Sequence, residues 1–167
     1  MATNAQLAGA AGAAPTIPMV AGALMCHDTV MTWLVQIGSI SGKQATQLHQ
    51  TYPNGPAFYA QVFARATDPQ ITQANAGNTP AGMICSFYSP GGLAHTMATH
   101  AQGSYAGTNN LNVGGGLGYT QMAGATLAWN ADGTTVGPNA YTFHYCSVAD
   151  FELRFAQLSA NRHDMVA

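Results

Sequence analysis

The chain has 167 residues, 47% of them hydrophobic and 9% aromatic, which suits one buried core and excludes wholesale disorder. Charged residues make up only 6%, against about 25% in ordinary domains. The cations Lys43, Arg65, Arg154 and Arg162 lie apart from one another, so no basic patch for a phosphate backbone is expected and nucleic acid is not a predicted partner.

The formal net charge of −2 is too small to imply steering of a charged ligand. The surface must then be built from Gly, Ala, Ser, Thr, Asn and Gln, which suits an exported or delivered protein. Scarce lysine would also limit lysine-directed tagging inside a host cell. No run approaches the roughly 20 apolar residues of a membrane span.

Residues 1–18 read as a flexible arm. Residues 1–14 are mostly Ala, Gly, Asn and Gln, without the basic region and sustained apolar core of a cleavable secretory signal. Pro15 and Pro18 bracket Thr16-Ile17 and favour extended backbone there. A single domain is expected over 19–167. Its first helix is predicted at 26–37, where Val30, Trp33, Leu34 and Ile37 recur at helical spacing and Gly38 follows as a stop. Cys26 opens this helix on the same stripe, and Asp28 in the first turn suits the dipole. A more polar helix follows at 41–52 with Ser41 as its cap. Pro53-Asn54-Gly55 is a turn, and Pro56 starts a third helix that carries Phe58, Tyr59, Val62 and Phe63. Residues 68–80 are expected to be a loop with at most a short helix.

After Pro80 the pattern changes to short apolar runs between glycines and prolines. Strands are predicted at 83–88, 93–100, 105–110, 119–129 and 141–148. Residues 112–118 form a glycine-rich loop, and Asn130-Ala131-Asp132-Gly133 is a turn. A closing helix is expected at 150–158, capped by Asp150. Helices first and strands afterwards argue an α+β fold, with N-terminal helices packed on a mostly antiparallel sheet.

Cys26, Cys85 and Cys146 are an odd set with no disulfide spacing, and no C-x-x-C pair begins a zinc site. Cys26 is the candidate nucleophile. A helix N-terminus lowers a thiol pKa, and the Cys26 N–H is a potential oxyanion donor. The competing reading is a small, buried core residue. Strand alternation places His95 with Leu93, Met97 and Thr99 on one face, opposite Ala94, Thr96, Ala98 and His100. His95 is then either a base for Cys26 or a core histidine bonded to a carbonyl. A hairpin turning at Gln102-Gly103 sets Asn110 opposite His95; a three-residue loop sets Asn109 there instead. Either amide oxygen would accept the outer imidazole N–H, and turn chemistry is the competing account of the pair.

Metal readings are weaker. His95 and His100 fall on opposite faces; His144 and Cys146 share one but lack a second pair. Gly114-Gly115-Gly116 is no phosphate loop, since no Lys-Ser/Thr follows it, and it reads as a lid near the site. His27 and Asp28 flank the thiol and either tune it or, the more ordinary account, form a solvated pair at the helix start.

The segments MCHDTVMTWL around Cys26, AGMICSFYSPGGLAHTMATH around His95 and YAGTNN after it resemble papain-like peptidases in order and element type. Compact bacterial NlpC-type amidases are the nearest in length. His27 departs from the small or polar residue usual after the family's cysteine. The resemblance implies a papain-like fold, attack of Cys26 on an amide carbonyl, His95 as proton shuttle, and Asn110 or Asn109 orienting the ring. It implies no metal and no cofactor. The expected substrate is a peptide or protein amide, in a bacterial cell-wall stem peptide or a host protein. The expected role is a toxin or effector, secreted or delivered without a cleavable signal, with an inhibitor (immunity) protein or a carrier as further partners. The alternative is a non-enzymatic binding or assembly module with buried, inert cysteines.

Overall fold

The protein, seen in a computed structural model, is described over residues 1–15, 26–51 and 55–160, without the side chains of 48–51 and 55. The expected turn at Pro53-Asn54 and the Thr16 to Pro18 part of the arm lie outside these residues. In chain order the helices are α1 (Asn4–Ala11), α2 (Cys26–Gln36), α3 (Gly42–Thr51), α4 (Gly55–Val62) and α5 (Val148–Ala160). The strands are β1 (Gln70–Ile71), β2 (Ile84–Ser89), β3 (Gly92–Ala101), β4 (Ser104–Thr108), β5 (Tyr119–Ala123) and β6 (Thr142–Cys146).

The fold is α+β: helices packed on a six-stranded antiparallel sheet of order β1-β6-β2-β3-β4-β5. Strands β2 to β5 form a meander, and β6 returns to pair with β2. One face is covered by helices. Leu7, Trp33, Leu34, Phe58, Phe63 and Phe151 pack there with Ala98 of β3 and Ala106 of β4. The two alanines leave room for helices to approach the strands closely. The other face is covered by loops that carry Val113, Leu127, Val136 and Tyr141 over Phe87, Met97, Tyr105 and Phe143.

Helix α2 is buried from Cys26 through Leu34, on every side and not along one stripe. It is enclosed by β3 and β4 below and by α1, α3 and α4 around it. His27 and Asp28 are therefore interior, not the solvated pair expected from sequence. Ser41 caps α3 as expected, with its Oγ accepting from Gln44 N at 3.1 Å and Gln44 Oε1 accepting from Ser41 N at 2.8 Å. The cap of α5 is Ser147 and not Asp150. Asp150 is its capping-box partner, its amide donating to Ser147 Oγ at 3.0 Å.

Three predicted elements differ. The loop expected at 68–80 contains strand β1, which pairs with β6. The strand at 119–129 stops at Ala123, because a 3₁₀ turn at Gly124–Thr126 redirects Leu127 and Trp129 onto the second face of the sheet. The N-terminal arm is a docked helix over Asn4–Ala11, with a Thr3/Gln6 capping box and Leu7 fully buried. Alanine-rich sequence has high helix propensity, but eight residues hold a helix only when packed. Packing comes from Asn4, whose Oδ1 accepts the Val148 amide of α5 at 2.9 Å, and from Glu152, whose Oε1 accepts the Ala2 amide at 3.0 Å. Gly82 makes room for the docking. At its φ of +77°, a Cβ would lie 1.7 Å from the Asn4 carbonyl oxygen. Gly82→Ala is expected to destabilise the fold by at least about 2 kcal/mol, from left-handed strain plus a backbone clash, read as a lower urea midpoint at unchanged slope. An unchanged midpoint would mean that α1 does not rest on this glycine.

Candidate active site

Two bulges and one left-handed residue shape the strand side of the site. Phe87 pairs with His95 but Tyr88 pairs with Leu93, so Ala94 is an extra residue in β3. Leu93 therefore joins the helix-side core, while Ala94 and Met97 belong to the loop-side one. The expectation that Leu93, His95 and Met97 share a face fails for this reason. The His95 ring lies 5.5 Å from that of Phe87, on the loop side with Met97.

The β3–β4 hairpin begins with Ala101 opposite Ser104, then shifts by one to pair Thr99 with Tyr105 and Ala98 with Ala106. Continued, the shifted register would bring Asn109 opposite His95. Instead β4 ends at Thr108, and Asn109 adopts a left-handed φ of 59°. Asn109 is exposed, and its Oδ1 accepts from Gly118 N at 3.3 Å. The turn swings Asn110 inward, where it is 0% exposed and its Oδ1 lies 2.7 Å from His95 Nε2.

The network around Asn110 determines its orientation and the tautomer of His95. Asn110 Nδ2 donates to the Gly107 carbonyl at 3.1 Å and to Thr120 Oγ1 at 2.6 Å. A carbonyl only accepts, so the amide nitrogen must face it. The oxygen then faces His95 and requires the proton on Nε2, which leaves the Nδ1 lone pair as the basic position. The glycine-rich segment expected to be a lid is bonded to Asn110 instead. Asn110 N donates to Gly116 O at 2.9 Å and Gly115 N to Asn110 O at 2.8 Å. A Cβ on Gly115 would sit 2.6 Å from the Asn110 Cβ, so only glycine allows this wrapping.

The thiol approaches β3 from the helix side. Cys26 is the first residue of α2 and is 8% exposed. Residue pairs between β3 and β4 run only from Ala98 toward the turn. The Thr96 amide lies beyond them and stands close enough to the Cys26 sulfur, with the amides of His27 and Cys26 itself, to favour its thiolate. Burial nonetheless pushes the thiol up to about 11, with Asp28 adding to the rise and the three amides offsetting only part of it. The lowering expected from a helix N-terminus is outweighed by desolvation. Burial also pulls His95 down to about 4, against the opposing pull of the Asn110 bond. His27 falls to about 4 through burial and the nearby His95. At neutral pH the site thus holds a thiol and two neutral imidazoles.

The partners of the residues flanking the thiol were not legible in the sequence. His27 Nδ1 lies 2.6 Å from Thr96 Oγ1, and Thr29 Oγ1 donates to Thr108 Oγ1 at 2.8 Å. Tyr59 OH donates to Asp28 Oδ1 at 2.8 Å, and its ring lies 5.2 Å from that of His27. Burial, the Asp28 charge and that hydrogen bond all push the Tyr59 phenol up, keeping it protonated. Thr96 was legible only as a polar residue on the strand face that turns out to meet α2.

The structure brings His95 to Asn110 directly and brings Cys26 to the strand residue that follows His95. It does not bring Asn109 in. The other histidines considered for a metal are engaged elsewhere. His144 contacts the Asp68 carbonyl at 2.9 Å and Thr142 Oγ1 at 3.2 Å, and His100 contacts Ser104 Oγ at 2.6 Å. Among the described residues, no three His, Cys, Asp or Glu side chains are grouped to hold a metal ion. No described helix is long and apolar enough to cross a membrane. No family model, no curated protein and no solved structure matches the chain.

Proposed function

We propose that the protein is a cysteine-dependent hydrolase of amide bonds, with Cys26 as nucleophile, His95 as general base and Asn110 orienting the imidazole. The observation that carries this reading is the 2.7 Å bond from His95 Nε2 to Asn110 Oδ1, in a strand whose next residue, Thr96, has its amide near enough to the Cys26 sulfur to favour the thiolate. A histidine with a fixed tautomer, oriented by a buried amide, one strand residue away from the position that a helix-start cysteine approaches, supports nucleophilic thiol catalysis.

In this reading the Cys26 S–H proton passes to His95 Nδ1 as the sulfur attacks the substrate carbonyl carbon. The C–N bond then breaks, and the leaving amine takes that proton from His95. Water attacks the thioester carbon and gives a proton to His95; the C–S bond breaks, the proton on His95 passes to the Cys26 sulfur, and the carboxylic acid leaves and ionises in solvent. Because thiol and imidazole both rest neutral, proton transfer accompanies attack and does not precede it. The substrate is a peptide or protein amide, in a cell-wall stem peptide or a host protein. A delivered toxin or effector with a papain-like core, met by an immunity protein or carried by a partner, fits the low charge and scarce lysine of the sequence.

Cys26→Ala tests the reading. Incubation with isolated peptidoglycan stem peptides and with unfolded protein, followed by mass spectrometry, is expected to reveal amide cleavage or ammonia loss with the unmodified chain. The variant should fall by on the order of 10³-fold or more. Equal product from both chains would sink the proposal. A second reading, a binding module with inert cysteines, is favoured by one observation: all three thiols are buried. It predicts no product from either chain and uniformly slow alkylation of the cysteines.

A further inference from the structure

We infer that His27 is a positioning residue, which through its hydrogen bond to Thr96 holds the Cys26 sulfur at a fixed place relative to the His95 ring. The inference rests on the hydrolase reading and adds a residue that the reading does not use. The two reacting groups stand on different elements, Cys26 on α2 and His95 on β3. Their separation therefore depends on how the helix is seated and rotated on the sheet.

Apolar packing alone sets that rotation poorly, because the strands contribute small side chains such as Ala98 and Ala106 to the helix-side core. Directional contacts set it instead. His27 Nδ1 meets Thr96 Oγ1 of β3 at 2.6 Å, and Thr29 Oγ1 meets Thr108 Oγ1 of β4 at 2.8 Å. Residues two apart on a helix point roughly 200° apart, so these pins bear on opposite flanks. Asp28, between them, is held by Tyr59 from α4 at 2.8 Å. A rotation of about 20° would carry a sulfur roughly 4–5 Å from the helix axis through about 1.5 Å, and displacements of that size cost on the order of 10²-fold in rate.

Thr96 is the residue through which the pin acts on the site. Its hydroxyl is bonded to His27, its amide stands near the Cys26 sulfur, and it follows His95 in the strand. A buried imidazole is a costly way to fill space when leucine would pack without a partner. Its directionality is what an aliphatic side chain in its place would lack.

The test is alkylation of Cys26 by iodoacetamide from pH 5 to 9 in the full chain, with site occupancy read by mass spectrometry. In this reaction the C–S bond forms, iodide leaves, and the thiol proton passes to His95 and then to solvent. The His95-assisted component is defined as the rate lost in His95→Gln. Thr96→Val removes the hydroxyl at equal shape, and Thr96→Ser restores it; thermal melts check that both fold. Expected is a tenfold to hundredfold loss of the assisted component in Thr96→Val, with a pH profile like that of His95→Gln, and near-full retention in Thr96→Ser. His27→Asn, whose amide reaches the Nδ1 position, should retain more of it than His27→Leu. If Thr96→Val melts lower but keeps the assisted component and its pH profile, His27 is structural only and the inference is overturned while the hydrolase reading stands. If the unmodified chain and His95→Gln react alike, both fail, and that is read without any Thr96 or His27 variant.

Discussion

Replacing His95 by Gln is expected to lower amide hydrolysis by on the order of 10³-fold while leaving the fold in place. Glutamine can present an amide N–H toward Asn110 Oδ1, where His95 Nε2 sits at 2.7 Å, yet it has no basic nitrogen to accept the thiol proton. The pH dependence carries further information. With His95 pulled down to about 4 and Cys26 pushed up to about 11, activity of the unmodified chain should rise through about pH 4 and then stay level across the neutral and mildly alkaline range. A preformed thiolate–imidazolium pair would instead lose activity once its imidazolium deprotonates, giving a bell. A solvent isotope effect on acylation is expected, because the proton moves with the attack. A bell-shaped profile falling between pH 7 and 10 would refute the neutral-pair description, and full activity in His95→Gln would remove His95 from the chemistry.

Stability should collapse on mild acidification. His27 and His95 each stand at about 4 in the fold, against 6.5 for an unperturbed imidazole. Between these values the unfolded chain binds protons that the folded chain refuses. Stability is therefore fully present above about 6.5 and is lost as pH falls toward 4. Each histidine accounts for about 3 kcal/mol, not fully additive because part of the His27 shift comes from His95. That is a large share of the roughly 5–15 kcal/mol of a typical domain. Asp68 acts later. Burial raises it, but the Arg154 guanidinium at 2.7 Å and the Arg65 amide hold it below the usual carboxylate range. Its contribution is lost only as pH falls below the ordinary carboxylate value. Urea midpoints at pH 7.5, 6, 5 and 4 check the window, and His27→Gln or His95→Gln should each flatten the slope by about one proton. A midpoint constant down to pH 4.5 would contradict the buried, neutral state of both rings.

Much of the scaffold was legible because periodicity reports burial directly. The stripe of Val30, Trp33 and Leu34, the Ser41 cap and the apolar runs of β2 and β3 all express local rules that packing did not override. The arm folds as a helix where a flexible segment is expected, because propensity in residues 1–14 speaks only weakly until Asn4, Leu7 and Gly82 meet the rest of the fold. Asn110 was anticipated opposite His95 on a simple register. It arrives there by another route, since the hairpin slips by one residue and Asn109 then turns the chain back. Two departures from ideal geometry offset each other, and neither leaves a sequence mark beyond the Asn-Asn pair.

Residue order and type alone determined that a cysteine would open a helix with an apolar stripe and that a histidine and an asparagine would meet across one hairpin. Short-range periodicity and turn chemistry are properties of contiguous sequence, so they survive without tertiary information. Only the folded structure decided the ionisation of these groups and the partners that hold them. Burial reversed the expected direction of the Cys26 shift, and the pairing of His27 with Thr96 joins residues 69 positions apart. Desolvation and long-range hydrogen bonding depend on what surrounds a side chain in space, and no window of sequence around Cys26 contains that surrounding.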